Sequence, residues 1–151
     1  MIRVYVDADA CPVKDETYRV AKRYGLPVTL VANSWMRTPN DGSVELQVVK
    51  GDWDAADDWI AENAGEGDVV VTADVPLAAR CVAKGARVIG PRGKEFTEDS
   101  VGDAVATRDL LAQLREAGVV STGPPPFDKR DRSRFLQALD TVIRSLGGEM
   151  P

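Results

Sequence analysis

The stretch Ile2 to Asp9, IRVYVDAD, decides how the rest of the chain is read. Its first five residues, Ile2 to Val6, form a short apolar, β-branched run with the pattern of a buried strand. An Asp-Ala-Asp step follows at once, and then Pro12, which suits the first turn of a helix. The helix predicted from there stops at Gly25, and Val13, Thr17, Val20, Ala21 and Tyr24 recur along it at helical spacing. Strand, carboxylates and helix in that order describe one βα unit.

The same alternation continues downstream. Strands are predicted at Pro27 to Val31, Val44 to Val49, Asp68 to Thr72 (DVVVT, the clearest of all) and Ala86 to Ile89. Between them, a helix capped by Asp52 runs to about Asn63, and another runs from Pro76 to Lys84 and stops at Gly85. Asn33 to Gly42 and Gly90 to Lys94 read as loops. Alternating strands and helices imply a mostly parallel sheet covered on both faces, a three-layer α/β/α arrangement. The last third changes character. Val101 to Ala117 reads as a helix, Gly118 to Phe127 holds a Gly-Pro-Pro-Pro turn, and Arg132 to Leu146 is an amphipathic helix. With no internal repeat or linker, residues 1–151 are expected to be one domain. Residues 101–147 would add extra C-terminal helices, and 148–151 a frayed tail.

Composition narrows the chemistry. The 151 residues are 44% hydrophobic and 28% charged, with a net charge of −5, which is not the balance of a bulk nucleic-acid binder. It leaves room for a local basic patch. No apolar run is long enough to span a bilayer, and no signal-peptide layout opens the chain, so a cytoplasmic protein without membrane partners is expected. Two cysteines are too few for a disulfide scaffold. The decisive absence is histidine, of which there is none. That excludes Ser-His-Asp triads, Cys-His pairs and His-bound zinc. Any acid–base or metal chemistry must fall mainly to carboxylates, lysines, tyrosines or the two thiols, and carboxylate-only sites suit Mg²⁺ or Mn²⁺.

In an open parallel sheet, ligands bind outside the carboxyl ends of the strands. Acidic residues fall there three times. Asp7 and Asp9 follow the first strand and share one side of it. Asp74 follows DVVVT. Asp54, Asp57 and Asp58 lie near the start of the helix between the third and fourth strands. At roughly 100° per residue, Asp57 shares a side with Trp53, Ile60 and Ala64, Asp54 sits just past that stripe, and Asp58 points well away. Each carboxylate taken singly has a plain reading as a cap or turn residue. Taken together, they bring acid from independent parts of the chain to one predicted crevice. Carboxylates crowded there repel, and a bound divalent cation relieves the repulsion. The candidate catalytic residues are therefore Asp7, Asp9, Asp57 and Asp74, and the candidate metal ligands are these four with Asp54 and Asp58.

Basic residues are fewer near this edge. Lys14 follows the Asp pair, and Arg92 and Lys94 flank Gly93 in a loop at the same edge. Each is a candidate phosphate contact, and each is also readable as a solvated charge. Lys129, Arg130, Arg132 and Arg134 make a denser basic run, diluted by Asp128 and Asp131. Cys11 at a helix start lacks a histidine to accept its proton, so packing is the preferred role. Cys81 reads as core. Trp35, in a loop, is the tryptophan best placed for a ligand contact.

These pieces resemble the PIN-like nuclease superfamily, which includes the flap endonucleases. Those proteins carry a first-strand Asp, a helix with an Ala-Asp-Asp step and a Thr-x-Asp element. Here Asp7, Ala56-Asp57-Asp58 and Thr72-Ala73-Asp74 match them. More closely, the chain looks like the YaiI/YqxD family of uncharacterised bacterial proteins. The matching stretches are VDADACPVK (Val6 to Lys14), GDWDAADDWI (Gly51 to Ile60), VVTADVPLA (Val70 to Ala78), GARVIGPRGKEFT (Gly85 to Thr97) and GPPPFDKRDRSRF (Gly123 to Phe135). They cover nearly the whole chain in order. The superfamily resemblance implies a PIN-like fold and a Mg- or Mn-dependent nuclease acting on RNA or other nucleic acid, with Thr72 joining Lys14, Arg92 and Lys94 on the substrate side. One position departs. The flap-endonuclease Glu before Ala-Asp-Asp is Ala55 here, so either Asp54 substitutes or that ligand is missing.

Two alternatives stand beside the nuclease. Asp7-Ala8-Asp9 also resembles the Asp-x-Asp opening of haloacid-dehalogenase-like phosphatases, with Asp7 as nucleophile. Against that, the acidic pair Asp57-Asp58 precedes Lys84 and Lys94, which reverses the order those enzymes use. The Ala55 departure motivates the other alternative, a non-catalytic RNA-binding or regulatory domain with an impaired metal site.

Overall fold

The computed structural model describes residues 2–9, 11–52, 54–118 and 126–150. The chain runs β1 (Val4–Asp7), α1 (Lys14–Arg23), β2 (Val28–Ala32), β3 (Val44–Val48), α2 (Ala55–Asn63), β4 (Val69–Val71), α3 (Val75–Ala83), β5 (Arg87–Ile89), β6 (Glu95–Phe96), α4 (Glu98–Glu116) and α5 (Lys129–Ser145). The six strands form one sheet in the order β3-β2-β1-β4-β5-β6, and every pairing is parallel except β5 with β6. The expected α/β class with a mostly parallel sheet is what the chain adopts.

Alternation along the strands explains the layers. Val4, Val6, Val69 and Val71 face one side, where α1 and α5 supply Val20, Ala21, Phe135, Leu139 and Ile143. Tyr5 and Val70 face the other, where α2 and α3 supply Ile60, Ala61, Leu77, Ala78 and Cys81, and α4 adds Val101. Phe135, Leu139 and Ile143 are fully buried, and each such side chain contributes about 1.5–3 kcal/mol by leaving water. The C-terminal helix α5 is thus half of one helical layer and not an appendage. Its neighbour α4 behaves differently: Val101 is its one buried residue, and Leu110 is 55% exposed. Among the described residues, no helix is long and apolar enough to cross a membrane.

Several boundaries differ from the sequence expectation. The helix expected at Asp52 starts at Ala55, with Asp54 in the capping position. The helix expected at Val101 starts at Glu98, because Thr97 and Ser100 cap it reciprocally. The helix expected at Arg132 starts at Lys129, capped by the Asp128 and Asp131 pair. Beyond α5, the expected tail is tied down as far as Gly148, whose N–H donates to the Ile143 carbonyl at 2.9 Å in a Schellman closure. The Gly-Pro-Pro-Pro turn falls almost wholly outside the described residues. The Gly90–Lys94 loop is the bend of a β5–β6 hairpin, with Gly93 at φ 90°. A Cβ on Gly93 would lie 2.7 Å from the Arg134 backbone, so only glycine lets this bend press against α5.

This topology creates a crevice. The chain leaves β1 towards β2 and β3, then crosses back to β4 on the other side of β1. The adjoining β1 and β4 are therefore where the winding direction reverses, and ligands bind beyond the carboxyl ends at such a point.

Candidate active site

Asp7 is the last residue of β1, and Thr72 and Asp74 follow β4. The two ends are laced together. The Thr72 hydroxyl donates to Asp7 Oδ2 at 2.8 Å and accepts from the Asp74 N–H at 2.9 Å. Asp74 caps α3, its Oδ1 accepting from the Leu77 N–H at 2.9 Å. The cap uses one oxygen and leaves the second free for another task. Asp9, in the turn after β1, accepts from the Asn33 N–H at 3.3 Å. Asp57 reaches the same place from α2.

Asp7, Asp9, Asp57, Asp74, Thr72 and Asn33 all line one pocket of about 220 Å³. Burial is the main reason that the Asp7 carboxyl is raised to about 6. The Thr72 hydrogen bond opposes that shift, and the Asp74 and Asp9 charges add to it. Asp57 is raised to about 6 first by burial and then by the Asp7, Asp74, Asp54 and Asp58 charges. Among the described residues, no lysine or arginine pairs with Asp7, Asp9, Asp57 or Asp74. The pocket thus holds negative charge that no lysine or arginine among the described residues neutralises.

The remaining sequence candidates lie elsewhere. Asp54 is exposed at the start of α2 and makes no side-chain cap bond. Asp58 points outward to Arg80 Nη1 at 2.6 Å. The Lys14 ammonium donates to the Cys11 carbonyl at 3.1 Å. Arg92 bonds Asp131 at 3.0 Å, and with Lys94 it lines a neighbouring cavity. Trp35 is 76% exposed, away from the pocket lining, and Trp53 lies outside the described residues.

Four lining residues are not among the sequence candidates: Ala56 and Ala73, which bring only methyl groups beside Asp57 and Asp74, and Asn33 and Pro91. Asn33 directly follows β2, so the carboxyl-end rule that found Asp7 also finds it. Pro91 follows β5 by two positions and carries no chemical signal of its own. Cys11 lines the pocket too, and burial raises its thiol pKa, which keeps it protonated and unsuited to attack.

Whether these groups fit a metal depends on their spacing and chemistry. Among the described residues, no three Asp, Glu or Cys side chains are gathered closely enough to form a ready-made cage. The donors are nevertheless hard oxygens in a pocket of unneutralised charge. They fit Mg²⁺ or Mn²⁺ held through one or two carboxylates with waters completing the shell, and they do not fit a zinc cage.

Comparison with known proteins gives a family without an activity. A protein named UPF0178 protein from Rhodopseudomonas palustris (strain BisB18) is 59% identical, covering 95% of this chain and 93% of its own. A second, from Paramagnetospirillum magneticum, is 54% identical over the full length of both chains. A third, from Bradyrhizobium diazoefficiens, is 57% identical over 95% of this chain and 86% of its own. No solved structure matches the chain at a significant level. The model of the family described as "Uncharacterized BCR, YaiI/YqxD family" matches residues 5–145, so the chain belongs to the YaiI/YqxD family.

Proposed function

We propose that this protein is a metal-dependent nuclease on a PIN-like fold, hydrolysing phosphodiester bonds of RNA at the Asp7–Asp74 pocket. The observation that carries the reading is the convergence on one pocket of four carboxylates, from the end of β1 and its following turn, from α2 and from the cap of α3, with no lysine or arginine among the described residues paired to any of them. Charge collected at that cost is usable when a cation completes it. Mg²⁺ or Mn²⁺ supplies an activated water and charge on the leaving oxygen when bound.

The chain's own residues divide the remaining work. Thr72 fixes the Asp7 carboxylate and the start of the Asp74 turn together. The Asn33 N–H orients Asp9. Asp57, raised to about 6 by burial and by the neighbouring carboxylates, brings the fourth acid to the pocket from α2, where a bound cation would offset that crowding.

The test is cleavage of single-stranded and structured RNA and DNA by purified protein with Mg²⁺ or Mn²⁺. Asp7→Asn and Asp74→Asn are each expected to reduce cleavage by about 100-fold or more. Asn still serves as a helix cap at position 74, so the fold should survive. Undiminished cleavage in both purified variants defeats the reading.

Two observations favour a second reading, a non-catalytic RNA-binding domain: Ala55 stands where the flap endonucleases carry Glu, and no ready-made cage is present among the described residues. Calorimetry with millimolar Mn²⁺ separates the two. Binding that Asp7→Asn removes supports the nuclease, and no carboxylate-dependent binding supports the second reading.

A further inference from the structure

Beside the carboxylate pocket lies a second cavity of about 390 Å³ with the opposite character. Pro12, Pro91, Phe96 and Phe127 supply apolar walls, the exposed Lys94 supplies charge, and Arg92, bonded to Asp131 at 3.0 Å, lies beside it. No carboxylate is among its described lining residues. Pro91 and Ala73 line both spaces, so the two adjoin across a wall one residue thick. Phe127 is held in place by guanidiniums, with Arg132 Cζ 4.9 Å and Arg92 Cζ 5.8 Å from its ring centroid. Arg132 is itself tied to the Pro12 carbonyl at 2.7 Å and to Glu16. Beyond the cavity, Arg92 and Lys94 also border a groove along α5 with Arg134.

An apolar, ring-lined recess with a cationic rim matches the chemistry of a nucleotide, which joins a flat base to an anion. We infer that this cavity takes one unpaired nucleobase of a single-stranded nucleic acid, Phe127 and Phe96 contacting the base and Lys94 its phosphate, beside an Arg92 that is held by Asp131. This rests on the proposed nuclease reading, and it adds the substrate class. A base seated here brings the next phosphodiester over Pro91 to the carboxylates. A base locked in a duplex cannot enter, so the cavity selects single strands.

Binding measured without catalysis keeps this inference separable from that reading. In EDTA, the anisotropy of a fluorescein-labelled single-stranded oligonucleotide is titrated with full-length protein, against the same sequence as duplex. Single strand is expected to bind at least tenfold more tightly. Phe127→Ala and Phe96→Ala should each weaken it about tenfold, the range of one lost base–aromatic contact. Phe127→Trp should restore affinity, which a merely structural role would not do. The exposed Lys94→Gln leaves the fold alone, and it should lower the salt slope by about one. An oligonucleotide with abasic sites should bind wild type as weakly as it binds Phe127→Ala. Equal affinity for duplex, or ring variants that fold and bind undiminished, overturns the inference even if carboxylate-dependent cleavage persists. Ring-dependent binding with no cleavage under any metal upholds it and overturns the catalytic reading.

Discussion

Asp131, in the first turn of α5, is 5% exposed and surrounded by donors. Its Oδ2 accepts from Arg92 at 3.0 Å and from the Asp128 N–H at 3.0 Å, and Arg134 lies 3.7 Å from Oδ1. Asp7, at the end of β1, is half-buried and receives one neutral hydroxyl. Both carboxylates are withdrawn from water, yet only Asp131 is compensated inside the chain. A buried charge that the chain completes is part of the scaffold. One without a paired cation among the described residues, beside three more of the same sign, is the kind of group that the proposed function completes with a bound cation. Proximity to the sheet edge does not separate the two kinds of acid, but the accounting of their partners does.

The largest expected effect tests the compensated side. Asp131→Ala removes one partner of Arg92 and half of the capping box of α5. Arg92 is 38% exposed, so water softens the loss of the ion pair. We expect destabilisation of about 2–4 kcal/mol at pH 7, from the pair and the cap together. Urea unfolding measures it. A loss under about 1 kcal/mol would show that Asp131 is not the strut described here.

The opposite sign is expected at Asp7, in EDTA. Its folded value of about 6 lies above the ordinary 3.8. Below about pH 4, both folded and unfolded chains hold the proton, and the wild type loses nothing. Between about pH 4 and 6, the unfolded chain releases it first, so wild-type stability falls as pH rises. Asp7→Asn escapes that loss. Its advantage should grow across this window and level off above it. A shift of this size corresponds to about 3 kcal/mol, which solvent at the pocket mouth reduces to about 1–2 kcal/mol. Denaturation of both proteins from pH 4 to 8 reads the difference. An advantage that does not change with pH breaks the contrast with Asp131.

Much of this arrangement is legible from one-dimensional pattern. Val4 to Val6 and Val69 to Val71 are apolar runs, and the acids that follow them lie where parallel sheets place ligands. Helical periodicity turns Asp57 inward with Ile60 and Asp58 outward, and the chain folds that way. Local capping leaves a weaker trace in sequence. The Thr97 and Ser100 box lacks the usual Glu or Gln, so α4 begins earlier than its apolar pattern suggests. β6 has two residues, too few for any alternation. What sequence does not show is pairing at a distance. Asp131 looks like a diluting charge in a basic run because its partner Arg92 is 39 residues away. Pro12, Pro91 and Phe127 meet only through the packing of α5 beside the hairpin.

The smallest effect is expected one residue from the site. Asp58 pairs with Arg80 at 2.6 Å, and the two side chains are 50% and 48% exposed. Exposed pairs of this kind are worth about 0.5 kcal/mol or less, and the negative charge also favours the first turn of α2 slightly. Asp58→Asn should therefore unfold within about 0.5 kcal/mol of wild type. On the proposed function, cleavage should stay within about twofold, since Asp58 acts on the pocket only as a weak charge on Asp57, after Asp7, Asp74 and Asp54. Asp57→Asn, one step around the same helix, should reduce cleavage severely. A loss of tenfold or more in Asp58→Asn would bring Asp58 into the site. A carboxylate already paired with a cation would then be functional, and partner accounting could no longer separate scaffold acids from working ones.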